Sequence, residues 1–124
     1  MFQLDKVIGF LPTKDAKRAR AFFEGTLGLE FVSDDPYALV MYSGTTMIRI
    51  AKLQDFMPAP YTVLGWEVQN IEFVVSDLKR RGVEFEKYPS IQDQELGTWQ
   101  SAGGDKVAWF KDPDGNVLSV SQHT

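Results

Sequence analysis

Few side chains in this sequence can do chemistry, and they are of limited kinds. There is no cysteine, which removes thiolate nucleophiles, cysteine metal sites and disulfides. The single histidine is His123, and its position reads as a frayed terminus rather than a catalytic base. Arg49 lies in Met47-Ile48-Arg49-Ile50. A guanidinium held in a cavity pairs with a carboxylate or fixes an anionic ligand group; the plain alternative is a solvated arginine on an edge strand. Glu67 lies in Gly65-Trp66-Glu67-Val68. It can act as a general base if desolvated, and otherwise as a surface or ion-paired carboxylate. Trp66, Trp99 and Trp109 can stack on a flat ligand, though Trp66, in phase with Leu64 and Val68, is expected in the core.

These residues must be positioned by elements whose patterns are readable. Residues 3–11 form an apolar strand that Pro12 breaks. Thr13 or Asp15 caps a helix through Ala16, Ala19, Phe22, Phe23 and Leu27, and Gly28 closes it. Strands follow at 29–33, 37–42 and 46–52. The stretch 54–60 holds two prolines and reads as a linker. The order then recurs. Residues 62–68 are a strand, Asn70 caps a helix through 71–81, Gly82 ends it, and strands follow at 83–86, 96–102, 106–111 and 117–122. The expected organisation is one domain, 1–124, made of two βαβββ modules at about 1–53 and 61–124.

A length of 124 residues suits one domain. The net charge of −4 and the lack of a basic cluster argue against a nucleic-acid partner; Lys17-Arg18 and Lys79-Arg80-Arg81 read as solvated helix faces. No run is apolar enough for a membrane span, and the first residues lack the layout of a signal peptide. The expected location is therefore the cytoplasm.

Three segments together resemble one family. They are Asp15 with Phe22-Phe23 and Leu27-Gly28-Leu29-Glu30-Phe31; Asp77-Leu78-Lys79 with Gly82-Val83-Glu84-Phe85; and Phe110-Lys111-Asp112-Pro113-Asp114-Gly115-Asn116-Val117-Leu118. Their spacing over nearly the whole chain resembles the glyoxalase/bleomycin resistance protein/dioxygenase (vicinal oxygen chelate) superfamily. The resemblance implies an α+β fold in which two βαβββ modules form curled mixed sheets around a shared cavity. It also implies a homodimer. Metal-dependent members take ligands from the first and last strand of each module. Carried over by motif spacing, those positions fall on Ile8, Arg49, Val63 and Ser119. Ile8 and Val63 have no donor atom, Arg49 is cationic, and Ser119 alone is a poor ligand. No metal and no other cofactor is expected.

Strand alternation from those positions nominates a lining of Ile8 and Phe10, Met47 and Arg49, Val63, Gly65 and Glu67, and Val117, Ser119 and Ser121, joined by Trp99 and Trp109. The expected ligand-binding residues are Arg49, Glu67, Phe10, Met47, Ser119, Trp109 and Trp99; Glu67 is the one weak candidate for catalysis. Two functions fit. The first is a metal-free protein that binds, and sequesters, an antibiotic-like or aromatic compound. The second is a glyoxalase-like lyase, isomerase or dioxygenase acting in the same cavity. Ligand identity and the presence of catalysis stay open at this level.

Overall fold

The computed structural model describes residues 2–124. The chain divides into two compact units, residues 1–57 and 58–124, each a four-stranded mixed sheet with a helical crossover. This is an α+β architecture, with two open sheets.

In the first unit, β1 (Ile8–Thr13) leads to α1 (Ala16–Arg20), which runs on as a π-helical stretch, Ala21–Thr26. Three strands follow: β2 (Glu30–Asp34), β3 (Ala38–Ser43) and β4 (Thr46–Lys52). The sheet order is β1-β4-β3-β2, with β1 parallel to β4 and the other pairs antiparallel. A parallel neighbour needs a crossover, and the helix supplies it. One sheet face packs on that helix. Leu11, Leu39, Met41, Ile48 and Ile50 are buried there with Ala19 and Phe23.

Two differences from the sequence reading have clear causes. Strand β1 starts at Ile8, later than expected, and continues through Pro12 to Thr13. Strand β1 is an outer strand of its sheet, where proline's missing N–H is tolerated. The helix cap is shared: Asp15 accepts from the Arg18 N–H at 3.1 Å, and Thr13 Oγ1 accepts from the Asp15 N–H at 3.1 Å.

In the second unit, β5 (Thr62–Glu67) precedes α2 (Ile71–Arg80), followed by β6 (Trp99–Gln100), β7 (Lys106–Lys111) and β8 (Val117–Gln122). The order is β5-β8-β7-β6, again with the first and last strands parallel. Asn70 caps α2 by accepting from the Phe73 N–H at 3.1 Å. Gly28 and Gly82 both take a positive φ, 80° and 95°, just after their helices, as the repeated Leu-Gly and Arg-Gly pairs require. Ile71, Val75 and Leu78 of α2 seal the sheet face carrying Ala108, Phe110, Leu118 and Val120.

The expected strand 83–86 is reduced to an isolated bridge between Phe85 and Phe110. The expected strand 96–102 shrinks to Trp99–Gln100. The polar segment before β6 folds as turns instead, and Gln92 ties it down. Its side-chain amide accepts from the Gln100 N–H at 2.9 Å and donates to the Gln100 carbonyl at 3.0 Å, in the manner of a neighbouring strand. The turn between β7 and β8 is held by Asp112, whose carboxylate accepts from the Asp114 and Asn116 N–H groups and the Asn116 amide. Burial nonetheless pushes the Asp112 carboxyl up from its ordinary range.

The buried rings carry most of each core. Phe110 is fully buried and meets Phe85 edge-on at 5.4 Å. Phe110→Ala is expected to cost about 3–5 kcal/mol through lost burial and the remaining cavity, and Asn70→Ala about 1 kcal/mol through the lost cap. Urea unfolding followed by circular dichroism checks both. Equal midpoint shifts for the two variants would contradict this assignment of the core.

Candidate functional site

Each sheet has one face sealed by its helix and one left open, and strand register fixes which side chains stand on the open one. In the first unit, Ile8 lies opposite Met47 and Phe10 opposite Arg49. The four therefore share a face. Ile8 and Phe10 are exposed, Met47 and Arg49 half-buried. Among the described residues no ion pair joins Arg49 to a carboxylate of its own sheet, although its charge helps lower the Asp35 carboxyl. The N–H groups of Tyr37 and Ala38 are the larger causes of that lowering.

The second unit gathers more chemistry. Ser119 lies opposite Gly65 on one side and Trp109 on the other; Ser121 lies opposite Glu67 and Val107; Val107 lies opposite Trp99. Four of the expected ligand-binding residues, Glu67, Ser119, Trp109 and Trp99, thus share one sheet face. The Trp99 and Trp109 rings are 6.3 Å apart and tilted at 47°. Tyr88 extends the aromatic surface, its ring 5.7 Å from Trp109. Nothing in the sequence pattern pointed to Tyr88, because it lies in a turn-rich segment with no period. Glu67 is exposed, so it is an accessible acceptor rather than a desolvated base. Trp66 alternates onto the opposite, helix-packed face, as expected. Val63 sits at an irregularity between Thr62 and Leu64, so simple alternation does not carry it onto the face with Gly65.

Ser119 is buried, and its hydroxyl lies across the backbone of Gly65. A Cβ built on Gly65 would come within 2.5 Å of Ser119 Oγ. Glycine is required here by the close approach, and the serine hydroxyl is fixed in place by it.

The four positions where the family resemblance places metal ligands offer no donor set in this chain. Ile8 and Val63 present carbon only, Arg49 presents a cation, and the Ser119 hydroxyl is packed over Gly65. A divalent ion needs several convergent N, O or S donors. No group of three or more His, Cys, Asp or Glu residues suited to a metal occurs among the described residues.

His123 is engaged by two side chains. Its Nε2 lies 2.9 Å from Ser121 Oγ, and its Nδ1 lies 3.3 Å from Asp105 Oδ2. Asp105 also accepts from the Thr124 N–H at 2.9 Å. That bond first, and the histidine second, hold the Asp105 carboxyl below its ordinary range. Ser121 lies in β8 and His123 one residue past its end, and the β7–β8 register of Lys106 with Gln122, extended by one pair beyond both strands, sets Asp105 opposite His123.

Two outcomes follow. Gly65→Ala is expected to destabilise the fold by about 1–3 kcal/mol through overpacking, and to lose most of that penalty in a Ser119→Ala background. Thermal unfolding of the two single variants and the double variant checks this, and additive losses would contradict it. Because the folded-state pKa of Asp105 is depressed, its stabilising contribution is present at neutral pH and fades as pH falls through that lowered pKa. Carboxyl-carbon NMR is expected to place its titration below the ordinary range, and His123→Ala to move it part of the way back; an unmoved midpoint would contradict the pairing.

Comparison with known proteins agrees with this architecture. A family model described as Glyoxalase/Bleomycin resistance protein/Dioxygenase superfamily matches residues 3–120. No curated protein gives a significant match. Among solved structures, a superfamily member from Sphaerobacter thermophilus DSM 20745 aligns with a TM-score of 0.73 at 21% identity, covering 98% of this chain and 98% of that one. A glyoxalase family protein from Enterococcus faecalis aligns with a TM-score of 0.72 at 20% identity, covering 96% of both chains. A glyoxalase/bleomycin resistance protein/dioxygenase from Alicyclobacillus acidocaldarius gives 0.71 at 16% identity, over 96% and 91% of the two chains. At such identities the structures speak for the fold, and the family model for descent: the chain belongs to the glyoxalase/bleomycin resistance protein/dioxygenase superfamily.

Proposed function

We propose that this protein is a metal-free member of its superfamily that binds a small, flat aromatic compound against the open face of its second sheet. The observation that carries the reading is the run of Tyr88, Trp109 and Trp99 rings on that face, beside the Ser119 hydroxyl and the Glu67 carboxylate. Aromatic faces supply area and stacking, while a few fixed polar groups supply orientation. The donor-poor set of Ile8, Arg49, Val63 and Ser119 supports the metal-free part. A lyase, isomerase or dioxygenase is the less favoured reading, since Glu67 is exposed and no donor set stands ready for a Lewis acid. Sequestration of an antibiotic-like or aromatic compound fits a binding role of this kind.

Self-association belongs to the same proposal. Strand β1 is an outer strand, and Val7, Ile8 and Phe10 leave apolar surface exposed along it. Such an edge is a ready site for a second copy. The two modules are taken as one domain, located in the cytoplasm, which suits a cysteine-free chain containing no helix, among the described residues, long and apolar enough to cross a membrane.

Titration with a planar aromatic probe such as acridine, followed by tryptophan fluorescence, tests the binding face. Quenching is expected in the wild type. Trp109→Ala is expected to weaken binding at least tenfold, in line with about 1–3 kcal/mol for a stacked base on an aromatic ring. Unchanged affinity in Trp109→Ala and Trp99→Ala would remove the site from this face. Sedimentation of the wild type and Phe10→Glu checks self-association, with a shift toward monomer expected in the variant.

A further inference from the structure

The Ser121, His123 and Asp105 side chains form a chain of contacts that binding alone does not use, a hydrogen bond between Ser121 and His123 followed by an ion-pair contact between His123 and Asp105. We propose that this relay makes Ser121 a nucleophile toward aryl esters, with His123 as its general base and Asp105 as the positioning residue. The substrate class rests on the aromatic-binding reading above, because the aryl group would lie on the Trp99–Trp109 surface of the same sheet face.

The geometry supplies the nucleophile–base and base–carboxylate contacts of such a relay. Nucleophile and base are within hydrogen-bond reach at 2.9 Å, and base and carboxylate at 3.3 Å. The proton positions follow from the partners. An ionised Asp105 accepts only, so His123 Nδ1 carries the proton facing it. His123 Nε2 then presents a lone pair, and Ser121 Oγ–H donates to it. Asp105 is itself held. It accepts from the Thr124 N–H and exchanges bonds with Ser101, whose N–H donates to the Asp105 carbonyl at 2.8 Å and whose Oγ accepts from the Asp105 N–H at 3.1 Å. The histidine and aspartate side chains are 48% and 40% exposed, so a reagent can reach them. By register Ser121 lies opposite Val107, which lies opposite Trp99. An aryl leaving group stacked on the tryptophans would therefore stand beside the hydroxyl.

The step balances without a co-reactant other than water. Ser121 Oγ attacks the ester carbonyl carbon while its proton passes to His123 Nε2. The carbon–oxygen bond to the aryl group breaks, and the phenol leaves with that proton. Water, deprotonated by the same nitrogen, then releases the carboxylic acid and restores the serine. Aryl esters are the class chosen because a phenol is a weakly basic leaving group whose bond breaks readily, which asks least of the protein beyond nucleophile and base.

The test uses the full chain with 1-naphthyl acetate, and 1-naphthol as the unreactive probe for binding. The wild type is expected to take up one acetyl group, located at Ser121 by peptide mass spectrometry. Ser121→Ala is expected to abolish that adduct and His123→Gln to slow its formation at least tenfold, each with an unchanged circular dichroism spectrum. Asp105→Asn is expected to slow acylation and alter its pH profile, which a residue that only anchors the chain would not do. Acetyl groups on lysines alone, or equal rates in the wild type and His123→Gln, would overturn the proposal. The two readings separate cleanly. Quenching by 1-naphthol without acetylation of Ser121 would overturn the relay and leave the binding face standing. Acetylation of Ser121 without quenching would support the relay and count against the aromatic site.

Discussion

The constraint on which the rest depends is the parallel pairing of the first and last strand in each unit, β1 with β4 and β5 with β8. A parallel pair cannot be closed by a tight turn, so the chain must cross over, and in both units it does so through a helix. The helix covers one face of its sheet and leaves the other free. Everything chemical then sorts by alternation. Leu118 and Val120 turn to the helix and are buried, while Ser119 and Ser121 turn the other way. A one-residue slip in β8 would exchange the two sets.

Ser119 and Gly65 show how tightly that register is specified. The hydroxyl occupies the volume where any other residue at 65 would place its Cβ. The chain gains a buried polar atom at a defined height above the sheet, flanked by Trp109. The neighbouring aromatic rings meet at tilted angles, 47° and 61°, and so present edges as well as faces to whatever lies against them. Phe10, Met47 and Arg49 form a smaller apolar and cationic face on the first unit. The second unit's face carries the Glu67 carboxylate and the aromatic rings instead.

Much of this is legible in the sequence. The repeated order of elements, both helix caps and the left-handed glycines at 28 and 82 follow from local chemistry that tertiary contacts do not override. Glu67, Ser119, Trp109 and Trp99 fell on one face because period-two alternation is geometric. What alternation could not foresee was irregular backbone. The bulge at Val63, the strand through Pro12, the loss of strand 83–86 and the ring of Tyr88 all depend on contacts distant in sequence. His123 is the instructive case. General expectation about chain ends outweighed position: His123 follows β8 by one residue, two from Ser121, and Asp105 immediately precedes β7.

The amide of Gln92 closes the outer margin of β6 by imitating a strand partner. The Gln100 N–H and carbonyl are thereby taken, and a strand laid along β6 would find that residue's backbone groups already bonded. Covering an outer strand in this way is one means by which sheets are kept from edge-to-edge pairing.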